Sequence, residues 1–392
     1  GGKWRCSDIE IQRLALRSMD AFIKCISSDN LRYPDIKGSV NGMIGVLQSI
    51  LEMKNLSVLI FATDLALKIS NILPSSVLQA HVVNLICPLA ALLSSEQLKI
   101  ATTCATSISV ILSKMRPRQE NQVWEILKET RAVFHVVCRI THFNVNSSPI
   151  ECFVEMAHVL SEVLWRWPSC RFSVYNDSEL LNTLDKIKLL PNDSVKVVVL
   201  QLYSSLALCC CGSEKLLENG EVVQMMVECM SSSTDSVRME ALKLAKIFAL
   251  SQRGCRILMN TNRKPLVKAV IGAMENRTSP SEKLRKTVST VTLDAYVLAA
   301  RICSLDDYGM HFLKYGIVER AFDLFFHGCA EIHQGQGELS IDDLVIIVRK
   351  SYDSSALLCV RSYVWDILGA LTACFSEIRG DESKLKTLII CS

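Results

Sequence analysis

The sequence predicts an all-α, right-handed solenoid built from helical repeats of roughly 40 residues. The first observation behind this is an internal copy. Asp193-Ser194-Val195-Lys196 returns as Asp235-Ser236-Val237-Arg238, a shift of 42 residues. Leu200 then falls on Leu242, Leu206 on Phe248, Ala207 on Ala249 and Gly212 on Gly254. The second observation is an independent pair at a shift of 39. Leu59 falls on Leu98, Ala62 on Ala101 and Ile69 on Ile108. The third is composition. At 392 residues the chain is too long for one compact core, yet at 49% hydrophobic it can bury a continuous one. A core that grows along an axis fits both facts.

A period near 40, apolar residues at helical spacing and a Gly between helices fit armadillo or HEAT units. The elements follow in order. Asp8 is placed to cap a helix carrying Leu14, Met19, Phe22 and Ile26 on one face. A second helix runs over 39–53. Pro74 separates the helix ending near Ile72 from a buried helix over 77–93. Arg116-Pro117-Arg118 breaks the chain before helices over 123–127 and 130–140. A helix over 152–165 ends at Pro168, which removes a donor and clashes with the preceding turn. Two clear units follow, 194–230 and 236–274. In each, a long helix reaches a Gly turn, at Gly212 or Gly254, and a short and a final helix follow. The final helix is expected to line the concave face. Asn276–Lys283 reads as a polar loop, and helices are expected over 287–302 and 309–326. A last copy of the repeat opens at Val360-Arg361. The chain reads as one repeat domain over 1–392, with weak joints near 144–149 and 331–340.

Charge and cysteine bound the function. Lys and Arg total 43 against 40 Asp and Glu, a net charge of +3. A general nucleic-acid binder carries a larger excess, so electrostatic recognition has to come from a local patch. The 17 Cys include no Cys-x-x-Cys pair and no zinc spacing. They sit mainly in apolar helical stretches, which suits free, packed thiols in a reducing compartment, cytosol or nucleus. The run Cys209-Cys210-Cys211 is read the same way. The longest uncharged stretch, Ile69–Ser95, is too interrupted by Pro and polar residues to span a membrane.

No phosphate-binding Gly loop, His-Glu-x-x-His or nucleophile elbow is present. His327, Cys329 and His333 lie close together but at irregular spacing, and ordinary loop residues are the better reading. The sequence therefore predicts no enzyme, no cofactor and no metal. Trp165 and Trp167 flank Arg166; the expected arrangement packs Trp165 in the core and closes the helix end with Trp167. The importin-type Trp-x-x-x-Asn array is missing, since Lys128, Ser169 and Gly369 stand where Asn would follow Trp124, Trp165 and Trp365.

One feature rises above background. Ala241–Met274 holds seven Lys and Arg and no acid, while Glu214–Glu240 holds six acids and two bases. Stacked units would set a basic ridge beside an acidic one, which steers complementary partners. The candidate partner-binding residues are Arg253, Arg256, Arg263, Lys264 and Lys268. The competing reading is mutual neutralisation between units. An acidic peptide suits the ridge better than nucleic acid, because no stacking aromatics interleave with the cations.

Several segments resemble the armadillo-like front half of a plant group of BTB/POZ-domain proteins. They are Lys3-Trp4-Arg5-Cys6-Ser7-Asp8-Ile9-Glu10, Val197-Val198-Val199-Leu200-Gln201-Leu202-Tyr203, Leu217-Glu218-Asn219-Gly220 and Arg361-Ser362-Tyr363-Val364-Trp365-Asp366. The resemblance implies BTB domains beyond residue 392. It also implies an adaptor role in a cullin-based ubiquitin ligase, in which the BTB part holds the cullin and the solenoid holds a substrate or regulator. The expected function is a protein-interaction scaffold of that kind. The alternative is a nucleic-acid- or chromatin-associated solenoid that uses the ridge over 241–274.

Overall fold

The computed structural model describes residues 4–26, 31, 33–274, 290–305, 308–317, 320, 363–364, 366–367 and 369–370. Every regular element among them is helical. The chain divides into two compact units, Gly1–Leu190 and Pro191–Ser392.

The first unit opens with α1 (Ile9–Cys25) and α2 (Pro34–Met53). Asp8 caps α1 as expected, its Oδ1 accepting from the amides of Glu10 and Ile11 at 2.8 and 3.2 Å. Three triplets follow, each a 17-residue or shorter leading helix and two short ones. They are α3 (Leu56–Ile72), α4 (Ser75–Leu78) and α5 (Val82–Leu92); then α6 (Leu98–Lys114), α7 (Glu120–Glu129) and α8 (Ala132–Thr141); then α9 (Ile150–Arg166), α10 (Arg171–Tyr175) and α11 (Ser178–Ile187). The stretch expected as one helix over 77–93 is thus two, broken at Gln79–His81. The loop over 142–149 separates α8 from α9.

In the second unit α12 (Asp193–Ala207), α13 (Cys210–Glu218) and α14 (Gly220–Met230) form a triplet. The next is α15 (Asp235–Phe248) with α16 (Gln252–Ala273). Asn262 leaves helical geometry inside α16, at φ −138° and ψ 40°, and Pro265 follows. Pro265 can donate no amide hydrogen, so α16 bends into two arms that take the places of α13 and α14. Then come α17 (Thr290–Cys303) and α18 (Tyr308–Lys314). The readings on 275–289, on His327, Cys329 and His333, on 331–340 and on Val360-Arg361 lie outside the described residues.

Leading helices stack on one another within each unit, α3 on α6 on α9 and α12 on α15 on α17. Burial fixes their register. Val58, Leu59, Ala62, Ala66 and Ile69 are buried in α3; 42 residues on, Ile100, Ala101, Cys104, Ile108 and Ile111 are buried in α6. The true shift is therefore 42, not the 39 read from the sequence. A slip of three residues is close to one helical turn, so it still lays apolar on apolar and deceives an alignment.

The two glycines also act differently from the turn role expected of them. Gly212 and Gly254 each lie in the first turn of a helix, α13 and α16. A Cβ at either position would overlap the carbonyl oxygen of Leu206 or Phe248, at the end of the preceding leading helix. What these sites require is close approach, not a positive φ.

Cations close the leading helices' C-terminal ends, whose last carbonyls lack partners within their own helix. Lys114 of α6 donates to the carbonyls of Ser70, Asn71 and Leu73 at 2.6, 2.9 and 3.1 Å. Arg171 caps α9 through the Leu164 and Trp165 carbonyls. Arg301 of α17 reaches the Lys246 carbonyl at 2.9 Å.

Candidate partner-binding surface

The five cations singled out by the sequence lie on α16, split between its arms. Arg253 and Arg256 are exposed on the first; Arg263, Lys264 and Lys268 are exposed on the second. Arg253 meets the acidic stretch directly. Its guanidinium lies 2.9 Å from Glu214 and 3.7 Å from Glu218, both on α13. Arg263 instead turns towards α18, with Nη1 3.3 Å from His311 Nε2. The Lys268 ammonium stands 5.6 Å above the Tyr315 ring, a cation–π contact. Two other ridge cations serve the stack of leading helices. Lys246 reaches Asp294 of α17 at 2.5 Å, and Lys243 lies 3.6 Å from the buried Glu240. Glu240 also accepts from Gln201 of α12 at 3.1 Å. Neutralisation thus takes Arg253, Lys243 and Lys246, while on the second arm of α16 Arg263 and Lys268 lie beside the His311 and Tyr315 rings.

The side of α3, α6 and α9 turned away from the core forms aligned rows. Asp64, Thr106 and His158 correspond by burial register, as do Lys68, Val110 and Glu162, and Asn71, Ser113 and Trp165; none of the nine is buried. Trp165 is 45% exposed, contrary to the core position expected for it. Trp167 is the buried one, stacked on Trp124 with ring centroids 5.5 Å apart. It stands at the C-terminal cap of α9, its amide donating to the Val163 carbonyl at 2.9 Å, and its ring packs on a partner the sequence did not indicate.

Among the described residues, burial keeps four core cysteines protonated. Burial pushes the thiol of Cys104 far up, and those of Cys170, Cys229 and Cys255 to about 11. The packed reading fails for part of the cysteine run: Cys209 is half-buried, but Cys210 and Cys211 are exposed on the first turn of α13. Among the described residues no group of three His, Cys, Asp or Glu could hold a metal ion. No described helix is long and apolar enough to cross a membrane.

Comparison with known proteins agrees with this architecture. Residues 95–209 match the Plant ARM repeat family. The whole chain is 35% identical to a BTB/POZ domain-containing protein of Arabidopsis thaliana and spans 40% of that relative's length. An engineered protein solved by the Northeast Structural Genomics Consortium superposes with a TM-score of 0.67 at 15% identity, covering 98% of this chain and 89% of its own. Computationally designed armadillo repeat proteins for modular peptide recognition give 0.50 at 11% identity, covering 73% of this chain and 99% of theirs. The fold is an armadillo-type α-solenoid.

Proposed function

We propose that this solenoid is the partner-recognition region of a BTB adaptor for a cullin-RING ubiquitin ligase. The observation that carries the reading is the whole-chain likeness to a BTB/POZ domain-containing protein of which this chain spans 40%. The remaining length would hold the BTB part and, through it, the cullin. The solenoid would act as a scaffold and not as a catalyst, holding a substrate or regulator. Free thiols suit a reducing compartment, the cytosol or nucleus.

On the second unit, an acidic peptide of the substrate would meet Arg256, Arg263, Lys264 and Lys268, with Arg253 supporting from its pair with Glu214. The nucleic-acid reading draws less support, because the net charge is only +3 and a general nucleic-acid binder carries a larger excess. The test is reconstitution of a BTB-bearing form of the chain with purified cullin and RING components. Ubiquitin transfer to a captured partner is expected, and Arg256→Glu with Lys264→Glu should abolish capture at nearly unchanged thermal stability. Failure of the BTB-bearing form to bind any cullin would remove the ligase role.

A further inference from the structure

Between α14 and α15 the chain runs Ser231-Ser232-Ser233-Thr234, four hydroxyl residues in a row. This loop borders a cleft of about 200 Å³, completed by Asp235 and Arg238 of α15 and by Lys268 and Gly272 of the second arm of α16. A water takes about 30 Å³ of liquid, so a tetrahedral phosphoryl group fits with water to spare. The lining carries two cations, Arg238 and Lys268, against one carboxylate, Asp235. Arg238 is buried and held in place. Its Nη1 donates to the Ser232 and Ser233 carbonyls at 2.6 and 3.2 Å, and its Nη2 meets Asp235. The Asp235 side chain is 85% exposed, so water competes for that pair. Lys268 is exposed and stands over the Tyr315 ring. Ser232 is half-buried, and its hydroxyl oxygen accepts from the Thr234 amide at 3.2 Å. Ser231 is exposed at the cleft and is the hydroxyl an enzyme can reach.

We propose that Ser231 is a regulatory phosphorylation site, whose phosphoryl group seats in this cleft between Arg238 and Lys268 and withdraws Lys268 from the surface that captures an acidic partner. A serine kinase transfers the γ-phosphoryl group of ATP to the Ser231 oxygen. The new O–P bond forms as the bond from the γ-phosphorus to its bridging oxygen breaks; ADP leaves and the hydroxyl proton is released. The product carries about −1.5 to −2 charge at pH 7 and three strong acceptor oxygens. The planar guanidinium of Arg238 suits two of them, and its bond to the exposed Asp235 yields. Lys268 follows on a flexible four-carbon stem, because a charge-assisted hydrogen bond outweighs a cation–π contact at an exposed site. A neutral serine offers no such charge and leaves Lys268 on the ridge beside Lys264. The effect on capture rests on the acidic-partner reading of α16; the phosphoryl seat stands without it.

The endogenous protein, isolated with phosphatase inhibitors and digested with trypsin, should show phosphate on Ser231 in the peptide over 216–238. A Ser231 that is unmodified throughout overturns the modification. The seat is tested on the full chain with phosphoserine placed at position 231 by genetic-code expansion. Its phosphorus NMR signal should titrate with a pKa lowered by about half a unit or more relative to a synthetic phosphopeptide of residues 227–236. Arg238 holds loop carbonyls, so the variant to use is Lys268→Gln on the exposed cation, which should reverse part of the lowering. Equal titration in chain and peptide, or no response to Lys268→Gln, overturns the seat. Fluorescence anisotropy with a labelled glutamate–alanine peptide of about eight residues tests the consequence. The phosphorylated chain should bind it several-fold more weakly than the unmodified chain, and Lys268→Gln should erase the difference. Equal binding by the two forms overturns the switch alone. No binding by either form removes the acidic-partner surface, and the switch with it, while the titration still judges the seat.

Discussion

Arg253 of α16 reaches Glu214 of α13 at 2.9 Å, which ties the basic stretch of one triplet to the acidic stretch of the triplet before it. Both side chains are more than half exposed. An exposed pair of this kind contributes about 0–1 kcal/mol. Arg253→Ala is therefore expected to shift the melting temperature by no more than a few degrees. It should also cost less partner capture than Lys264→Ala, since Arg253 is already engaged. Capture assays on the two single variants check this ordering, and a larger loss from Arg253→Ala would reverse the assignment.

Gly254→Ala and Gly212→Ala should each destabilise the second unit by about 1–3 kcal/mol, the range for forcing an extra carbon into a packed site. The obstacle is the backbone carbonyl of Phe248 or Leu206, which cannot swing aside as a side chain could. Gly42→Ala makes the control. Gly42 is an exposed helical glycine in α2 with nothing within 4 Å of a built Cβ. Alanine there should stabilise by about 0.5–1 kcal/mol. Thermal melts of the three variants should separate cleanly in sign.

Stability should fall in two acid steps. His81 is buried, with Nε2 2.7 Å from Asn41 Oδ1. Burial lowers its pKa, and Lys37 lowers it further. His135 moves the same way, through burial and then Arg131 and Arg139. Below about pH 6.5 the unfolded chain binds protons at these sites that the folded chain refuses, so stability declines as pH falls. Asp20 works lower. Hydrogen bonds from Lys24 and Lys68 hold its carboxyl below the ordinary value of 3.8. Its contribution is complete above that value and is lost as pH falls through the lowered one. His81→Gln should flatten the upper step in melts taken across pH and leave the lower one.

Thiol labelling should follow burial. Cys170, Cys229 and Cys255, with pKa values raised to about 11, should resist alkylation near neutral pH in the folded chain. Cys25, Cys87, Cys210 and Cys211 are exposed and should label first. Mass mapping after a brief iodoacetamide pulse checks the order, and early labelling of Cys229 would contradict its packing.

The repeat at Asp193 and Asp235 was legible because α12 and α15 are separated by connections of near-equal length. Leading helices begin at Leu56, Leu98, Ile150, Asp193, Asp235 and Thr290, so the steps vary from 42 to more than 50 residues. The short helical turn at Pro117–Gln119 and the loop over 142–149 lengthen the step to α9, and no fixed-period comparison finds it. The outward place of Trp165 was not read from the sequence, because a Trp in an apolar helix suggests a core, and only the register against α3 and α6 turns that position outward. Arg253 and Glu214 are 39 residues apart in sequence, and charge runs alone do not decide whether such stretches face each other or a partner.

The most direct measurement is affinity purification of the endogenous protein with its companions, read by mass spectrometry. The account predicts bait peptides from a BTB region, a cullin among the companions, and partners that are lost when the second arm of α16 is charge-reversed. Bait without BTB peptides and companions without a cullin would contradict the adaptor role.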